Sequence, residues 1–65
     1  MAKIAMVKVK DGNVACYDSN GVFADYLATG GAVSAAVSGD VVTVTDEDGT
    51  VKLFDANTGL FKGYL

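Results

Sequence analysis

Residues 48–65 read "DGTVKLFDANTGLFKGYL", and residues 11–27 read "DGNVACYDSNGVFADYL". With one extra residue allowed at Thr58, the two phrases superpose. Asp11 falls on Asp48, Gly12 on Gly49, Val14 on Val51, Asp18 on Asp55 and Asn20 on Asn57. The match continues through Gly21 on Gly59, Phe23 on Phe61, Tyr26 on Tyr64 and Leu27 on Leu65, with Tyr17 and Phe54 corresponding as aromatics. Upstream, "VKVK" at Val7–Lys10 mirrors "VTVT" at Val42–Thr45. The period is close to 37 residues. Self-similarity at 20 to 50 residues marks architectures in which one unit cannot cover its own apolar surface and must stack on a neighbour.

Between the repeated joints, short runs rich in Val, Phe, Tyr and Thr are separated by Gly, Asp and Asn. No apolar pattern of helical period persists for three turns. This is the grammar of strands and turns, and it predicts an all-β chain of about seven strands. They run over Lys3 to Lys10, Asn13 to Tyr17, Val22 to Ala28, Ala32 to Ser38, Val41 to Thr45, Thr50 to Phe54 and Leu60 to Tyr64. Asp11-Gly12 and Asn20-Gly21 suit two-residue type I′ hairpins, because both central positions need positive φ. Gly39-Asp40 suits type II′, and Asp55 to Gly59 a type I turn closed by a left-handed glycine beside a bulge. Connections this short make consecutive strands antiparallel neighbours, so an up-and-down meander is expected. Residues 1–65 form a single domain, with one repeat unit over 1–28 and the second over 29–65.

Four strands in about 40 residues is the size of a propeller blade. The segments "SGDVVTVTDEDGTVKLFDANTG" and "DGNVACYDSNG" resemble blades of WD40-like and quinoprotein-like β-propellers: strand, Asp-Gly turn, strand ending in aromatic-Asp, then a Gly-closed hairpin. Phe54-Asp55 and Tyr17-Asp18 stand where the WD40 family has Trp-Asp, and there is no Gly-His pair, so the family's buried polar network cannot form. In the fourth segment Val33, Ala35 and Val37 alternate with Ala32, Ser34, Ala36 and Ser38, which suits the crowded innermost strand of a blade. Likewise, alternation puts Phe61 with Leu65 on one side of the last strand and Leu60 with Tyr64 on the other. The resemblance implies a ring, while a strand count one short of two whole blades leaves a different symmetric sandwich or barrel open. This chain holds fewer than the four blades a ring needs, so identical copies must combine, three of them supplying about six blades and four about eight.

Size points the same way. A 65-residue chain hides only about 60% of its unfolded surface. Disulfides, metals and association are the usual remedies. Here Cys16 is alone and there is no His, which leaves homo-oligomerisation, with a trimer favoured. Cys16, inside "NVACYD", reads as a small buried hydrophobe rather than a reactive thiol. The start "MAKIAMVKVK" lacks the apolar core of a secretory signal, and no run reaches the ~18 apolar residues of a membrane span. A soluble, cytoplasmic protein is therefore expected. With five Lys, no Arg and a net charge of −3, nucleic acid is not an expected partner. Lys3, Lys8 and Lys10 fit a strand edge protected by lysines.

The oxygen-rich runs Asp46-Glu47-Asp48, Asp18/Asn20 and Asp55/Asn57 invite a calcium reading, yet Asp and Asn bonding their own backbone in turns accounts for them without metal. No cofactor and no catalytic residue is expected. The residues that recur at equivalent places in both units read as structural, and the usual bases and nucleophile pairs are missing. The expected function is a non-enzymatic structural or protein-interaction module. Asp46, Glu47, Asp48, Asp55 and Asn57 are its candidate interaction surface, and Phe23, Tyr26, Phe61 and Tyr64 a candidate aromatic interface. The alternative is an oligomeric propeller that binds a small ligand or carbohydrate on those aromatics.

Overall fold

The computed structural model of the chain describes residues 3–27 and 30–65. Seven strands form among them: β1 Met6–Lys10, β2 Asn13–Tyr17, β3 Phe23–Leu27, β4 Ala32–Ser38, β5 Val41–Asp46, β6 Val51–Asp55 and β7 Phe61–Tyr64. The predicted extension of the third strand to Ala28, the repeat boundary at 28/29 and the unit's start at 1 and 2 lie outside the described residues. No helix among the described residues is long and apolar enough to cross a membrane.

The strands do not form one meander. They make two antiparallel sheets, ordered β1-β2-β3 and β4-β5-β6-β7, so the expected continuous succession breaks between β3 and β4. The break has a bonding reason: Ala32 N–H donates to Gly12 O at the tip of the β1–β2 hairpin, 2.9 Å away, instead of continuing a ladder from β3. The first strand is also shorter than expected at its start. Ile4 N–H donates to Ala56 O at 2.7 Å, which ties the segment before β1 to the turn after β6 in the other sheet. Lys3 reinforces this tie through an ion pair with Asp40, Nζ to Oδ1 2.8 Å.

Most turns follow the glycines. Asp11 and Gly12 have φ of 52° and 79°, as a type I′ hairpin demands, and Gly39 has φ 59° as type II′ requires. The Asn20-Gly21 turn differs from the expectation of a second type I′ hairpin, since Gly21 alone has positive φ. Gly21 N–H donates to Asp18 O at 3.0 Å, and Asp18 N–H donates to Val22 O at 3.0 Å. The same two bonds recur at the other turn, Gly59 N–H to Asp55 O at 2.7 Å and Asp55 N–H to Leu60 O at 2.8 Å. In both places a bulge follows, with the register shifting at Cys16/Tyr17 and at Leu53/Phe54.

Register decides which side chains share a side of each sheet, because facing residues of an antiparallel pair point the same way and neighbours alternate. In the three-stranded sheet Val7 faces Cys16, and Val9 faces Val14, which faces Leu27. These residues make its aliphatic side. Its other side, the aromatic side, carries Met6 opposite Tyr17, Lys8 opposite Ala15, which faces Tyr26, and Phe23 opposite Tyr17. In the four-stranded sheet Val37 faces Val42, which faces Phe54, which faces Phe61, while Ala35 faces Val44. Its reverse carries Ala36, Thr43 and Leu53 in one row and Ser34, Thr45 and Val51 in the next.

Three sequence expectations are corrected by this register. The bulges put Phe61 and Tyr64 on one side of β7, since they face Phe54 and Lys52, where plain alternation placed them on opposite sides. A bulge at Ala32/Ser34 likewise takes Val33 out of the row of Ala35 and Val37, leaving it exposed while Ala32 is buried. The upstream match is displaced by one residue: Met6 faces Tyr17 as Val42 faces Phe54, so Val7 corresponds to Thr43 and Lys8 to Val44. The cause is the hairpin, which closes across Asp11-Gly12 in the first unit and is one residue longer between Asp46 and Thr50 in the second. One residue of slip exchanges the two sides of a strand.

The core lies between the sheets. Val14, Cys16 and Leu27 from the aliphatic side of the three-stranded sheet meet Val42 and Val44 from the aromatic side of the four-stranded sheet, with Ile4, Ala32 and Ala56 filling the ends. Val7, Val9, Ala35, Val37 and Phe54 pack around this cluster. Full burial of a valine contributes about 1.5–2 kcal/mol, so this is a thin core. No aromatic side chain is buried in it: Tyr17 and Phe54 are half-buried, and Phe23, Tyr26, Phe61 and Tyr64 are exposed.

Candidate functional site

The candidate acidic surface divides into two places. β6 runs from Val51 to Asp55, so the loop with Glu47 and Asp48 and the turn with Asn57 lie at opposite ends of the strand, about 16 Å apart by strand rise. At the first end Asp46 is committed to structure: its Oδ2 is 2.9 Å from Lys52 Nζ, with both side chains mostly covered. The other oxygen, Oδ1, is buried without a hydrogen-bond partner. The bond to Asp46 raises the pKa of Lys52 above its ordinary value. Glu47 and Asp48 are exposed. Asp48 accepts from Thr50 N–H at 2.9 Å, and this bond holds its carboxyl below the usual range.

At the second end Asp55 accepts from Asn57 N–H at 2.7 Å and Thr58 N–H at 3.2 Å. Asp18 does the same in its own turn, accepting from Asn20 N–H at 2.9 Å and Val22 N–H at 3.0 Å. These carboxylates fasten their own loops, as the turn chemistry predicts. Asp40 lies nearby, because Ala56 N–H donates to Asp40 O at 2.8 Å; hydrogen bonding to Lys3 lowers its carboxyl pKa. Among the described residues no three Cys, Asp or Glu side chains converge as a metal site would require.

The aromatic candidates form two short ladders rather than one. Phe23 stands between Tyr17 and Tyr26, with ring centroids 5.9 and 5.0 Å apart. Phe61 stands between Phe54 and Tyr64 at 5.6 and 5.3 Å. Edge-to-face and tilted contacts at such spacing add about 0.5–1.5 kcal/mol per pair beyond burial. Each ladder runs outward from a half-buried ring. The second starts under the first sheet, where Phe54 reaches the core, and runs outward to Tyr64, which is 66% exposed. The first likewise starts at half-buried Tyr17 and runs outward through Phe23, 48% exposed, to Tyr26, 51% exposed.

Sequence reasoning missed Met6, Tyr17, Lys8 and Lys10 as members of the aromatic side. Counting back from the two-residue Asp11-Gly12 turn pairs Met6 with Tyr17, so a signal for them was present. At the hairpin end of this side Lys10, Asp11, Asn13 and Tyr26 line an open depression of about 290 Å³. Cys16, beneath the opposite side, is buried; desolvation first and Asp25 second push its thiol pKa up, which makes it a poor nucleophile. No protein-family model, curated protein or solved structure matches this chain.

Proposed function

We propose that the chain is a non-enzymatic structural subunit, of which several identical copies assemble into a closed, β-propeller-like ring, a trimer being favoured. One observation carries this reading: all six aromatic side chains stand outside the buried core, and those on β3 and β7 are about half or more exposed. An aromatic side chain can bury some 150–250 Å², and a chain of this length has little other apolar area to spare. A neighbouring copy supplies the missing cover. The exposed Glu47 and Asp48, at the rim of the four-stranded sheet, then offer an acidic contact to a protein partner. A lone buried cysteine fits a reducing compartment, and the reading places the ring in the cytoplasm.

The depression beside Tyr26 favours a second reading, in which the ring binds a small ligand or carbohydrate between an aromatic ring and the polar groups of Lys10, Asp11 and Asn13. Native mass and light scattering across a dilution series test the first: several copies are expected, with a melting temperature that falls on dilution. A single-copy mass with a melting temperature independent of dilution would overturn it. A thermal-shift screen with sugars and calcium tests the second, for which saturable stabilisation is required.

A further inference from the structure

Each sheet has an aromatic side; its reverse is aliphatic in the three-stranded sheet and a mixture of small, hydroxyl and aliphatic side chains in the four-stranded one, and within one chain the aromatic side of one sheet meets the reverse of the other. One side of each kind is therefore left uncovered, and the two lie on opposite outer faces of the molecule. We propose that the free reverse of the four-stranded sheet of one copy seats on the free aromatic side of the three-stranded sheet of the next, so that copies stack head to tail. This rests on the assembly reading above and adds its direction.

The interface inside the chain is the template. By register Thr43, Thr45, Val51 and Leu53 occupy the places of Val7, Val9, Val14 and Cys16, the residues that already pack on an aromatic side. The free reverse of the four-stranded sheet is thus the counterpart of a surface that demonstrably seats on the other kind. Shape agrees. Its edge strand β4 presents Ser34, Ala36 and Ser38, small side chains that admit the rings of Tyr17, Phe23 and Tyr26.

Charge selects the same arrangement. The aromatic side carries Lys8 and Lys10, and the carboxylate of Asp25 belongs to the opposite side, where it faces Cys16. Pairing two aromatic sides would set these ammonium groups against their own copies, a destabilising like-charge contact. Head-to-tail stacking avoids it. Inside the chain the β1–β2 hairpin tip lies by the start of β4, since Gly12 O accepts from Ala32 N–H, and Glu47 N–H donates to Gly31 O at that same end. If the next copy repeats this alignment, the β5–β6 loop with Glu47 and Asp48 comes beside Lys10 of its neighbour. Unlike-face contacts of this kind close into rings or continue as filaments, whereas like-face contacts stop at two copies.

The test is cross-linking between single-cysteine positions. Lys8→Cys marks the aromatic side of the three-stranded sheet and Thr45→Cys the reverse of the four-stranded sheet. The native Cys16 is buried, and the parent chain serves as its background control. Each variant is first checked for parent-like circular dichroism and native mass; Lys10→Cys and Thr43→Cys replace any that fails. The two are mixed with one isotope-labelled, re-equilibrated, and treated with a short bis-maleimide. The expected result is Lys8→Cys to Thr45→Cys products in the mixture and none from either variant alone. Like-to-like products, or none from an assembled sample, would overturn the head-to-tail arrangement while leaving assembly standing. A single-copy native mass of the parent chain would remove both.

Discussion

Replacing Val42 with Thr and, separately, Thr43 with Val asks which side of β5 faces the core. The two residues are neighbours in a run whose pattern, VTVT, does not itself say which way it points. Val42 is fully buried and lies between Val37 and Phe54, so a hydroxyl placed there meets only apolar neighbours across the sheet. Valine and threonine are nearly isosteric, which keeps a cavity term out of the comparison. Burying a hydroxyl without a partner costs about 2 kcal/mol in mutational series. That is a large share of the roughly 3–10 kcal/mol expected for a chain of this length. At 4–8 °C per kcal/mol the melting temperature should fall by roughly 8–16 °C. Thr43 is half-buried on the other side, facing Ala36 and Leu53, the side that the proposed stacking covers, and its replacement by Val should leave stability unchanged or raise it. Thermal and urea unfolding by circular dichroism, at one fixed protein concentration, measures both. Equal losses, or a larger loss from Thr43→Val, would show that the sides of β5 have been assigned the wrong way round.

The two equivalent turns should respond alike: Asp18→Ala and Asp55→Ala each remove a carboxylate that accepts two backbone N–H bonds. Each should lower stability by about 1 kcal/mol, with the Asn variants retaining most of it. Unequal losses in thermal unfolding would mean that the turns are alike in shape but not in energy. Acid should weaken the fold through Asp48 and Asp40, whose carboxyl pKa values are lowered by bonds to Thr50 and Lys3. A lowered pKa contributes stability that is complete above the ordinary value of 3.8 and is lost as pH falls below it toward the folded-state value. A melting series from pH 5 downward should therefore decline, and the slope should lessen in Asp48→Asn; an unchanged slope would remove Asp48 from the account. Lys52 has the opposite sign, so its contribution holds at neutral pH and is lost only as pH rises beyond 10.5 through its raised value.

Strand content and most turns were legible because the residues that need positive φ are few and local. Gly12, Gly39 and Gly59 announce their turns whatever the tertiary context. The sides of the strands were less legible, since a side depends on counting through a hairpin or bulge without error. The longer loop between Asp46 and Thr50 shifts one count, and the bulges near Tyr17 and Phe54 shift others, so identical letters such as Val7 and Val42 came out on different sides. The division into two sheets was not legible from connection length. It depends on Ala32 bonding to Gly12 and Ile4 to Ala56, contacts between residues distant in sequence. At the candidate site, recurrence in both units marks the aromatics, whereas the place of Lys8 and Lys10 beside them depends on pairing across the Asp11-Gly12 turn, which a charge cluster alone does not give. The acidic run does not distinguish Asp46 from its exposed neighbours, because its cover comes from Lys52 across the hairpin.

The bond from Ile4 to Ala56 joins two residues separated by most of the seven strands. A ribosome adding about 5–20 residues per second takes roughly 3 to 10 s to travel between them. Throughout that interval Ile4 and the valines of β1 have been made, but the pocket that receives them has not. This bond cannot close before Ala56 is made, and a chain stalled or cut short of it keeps Ile4 available to whatever helper, protease or unrelated nascent chain it meets first.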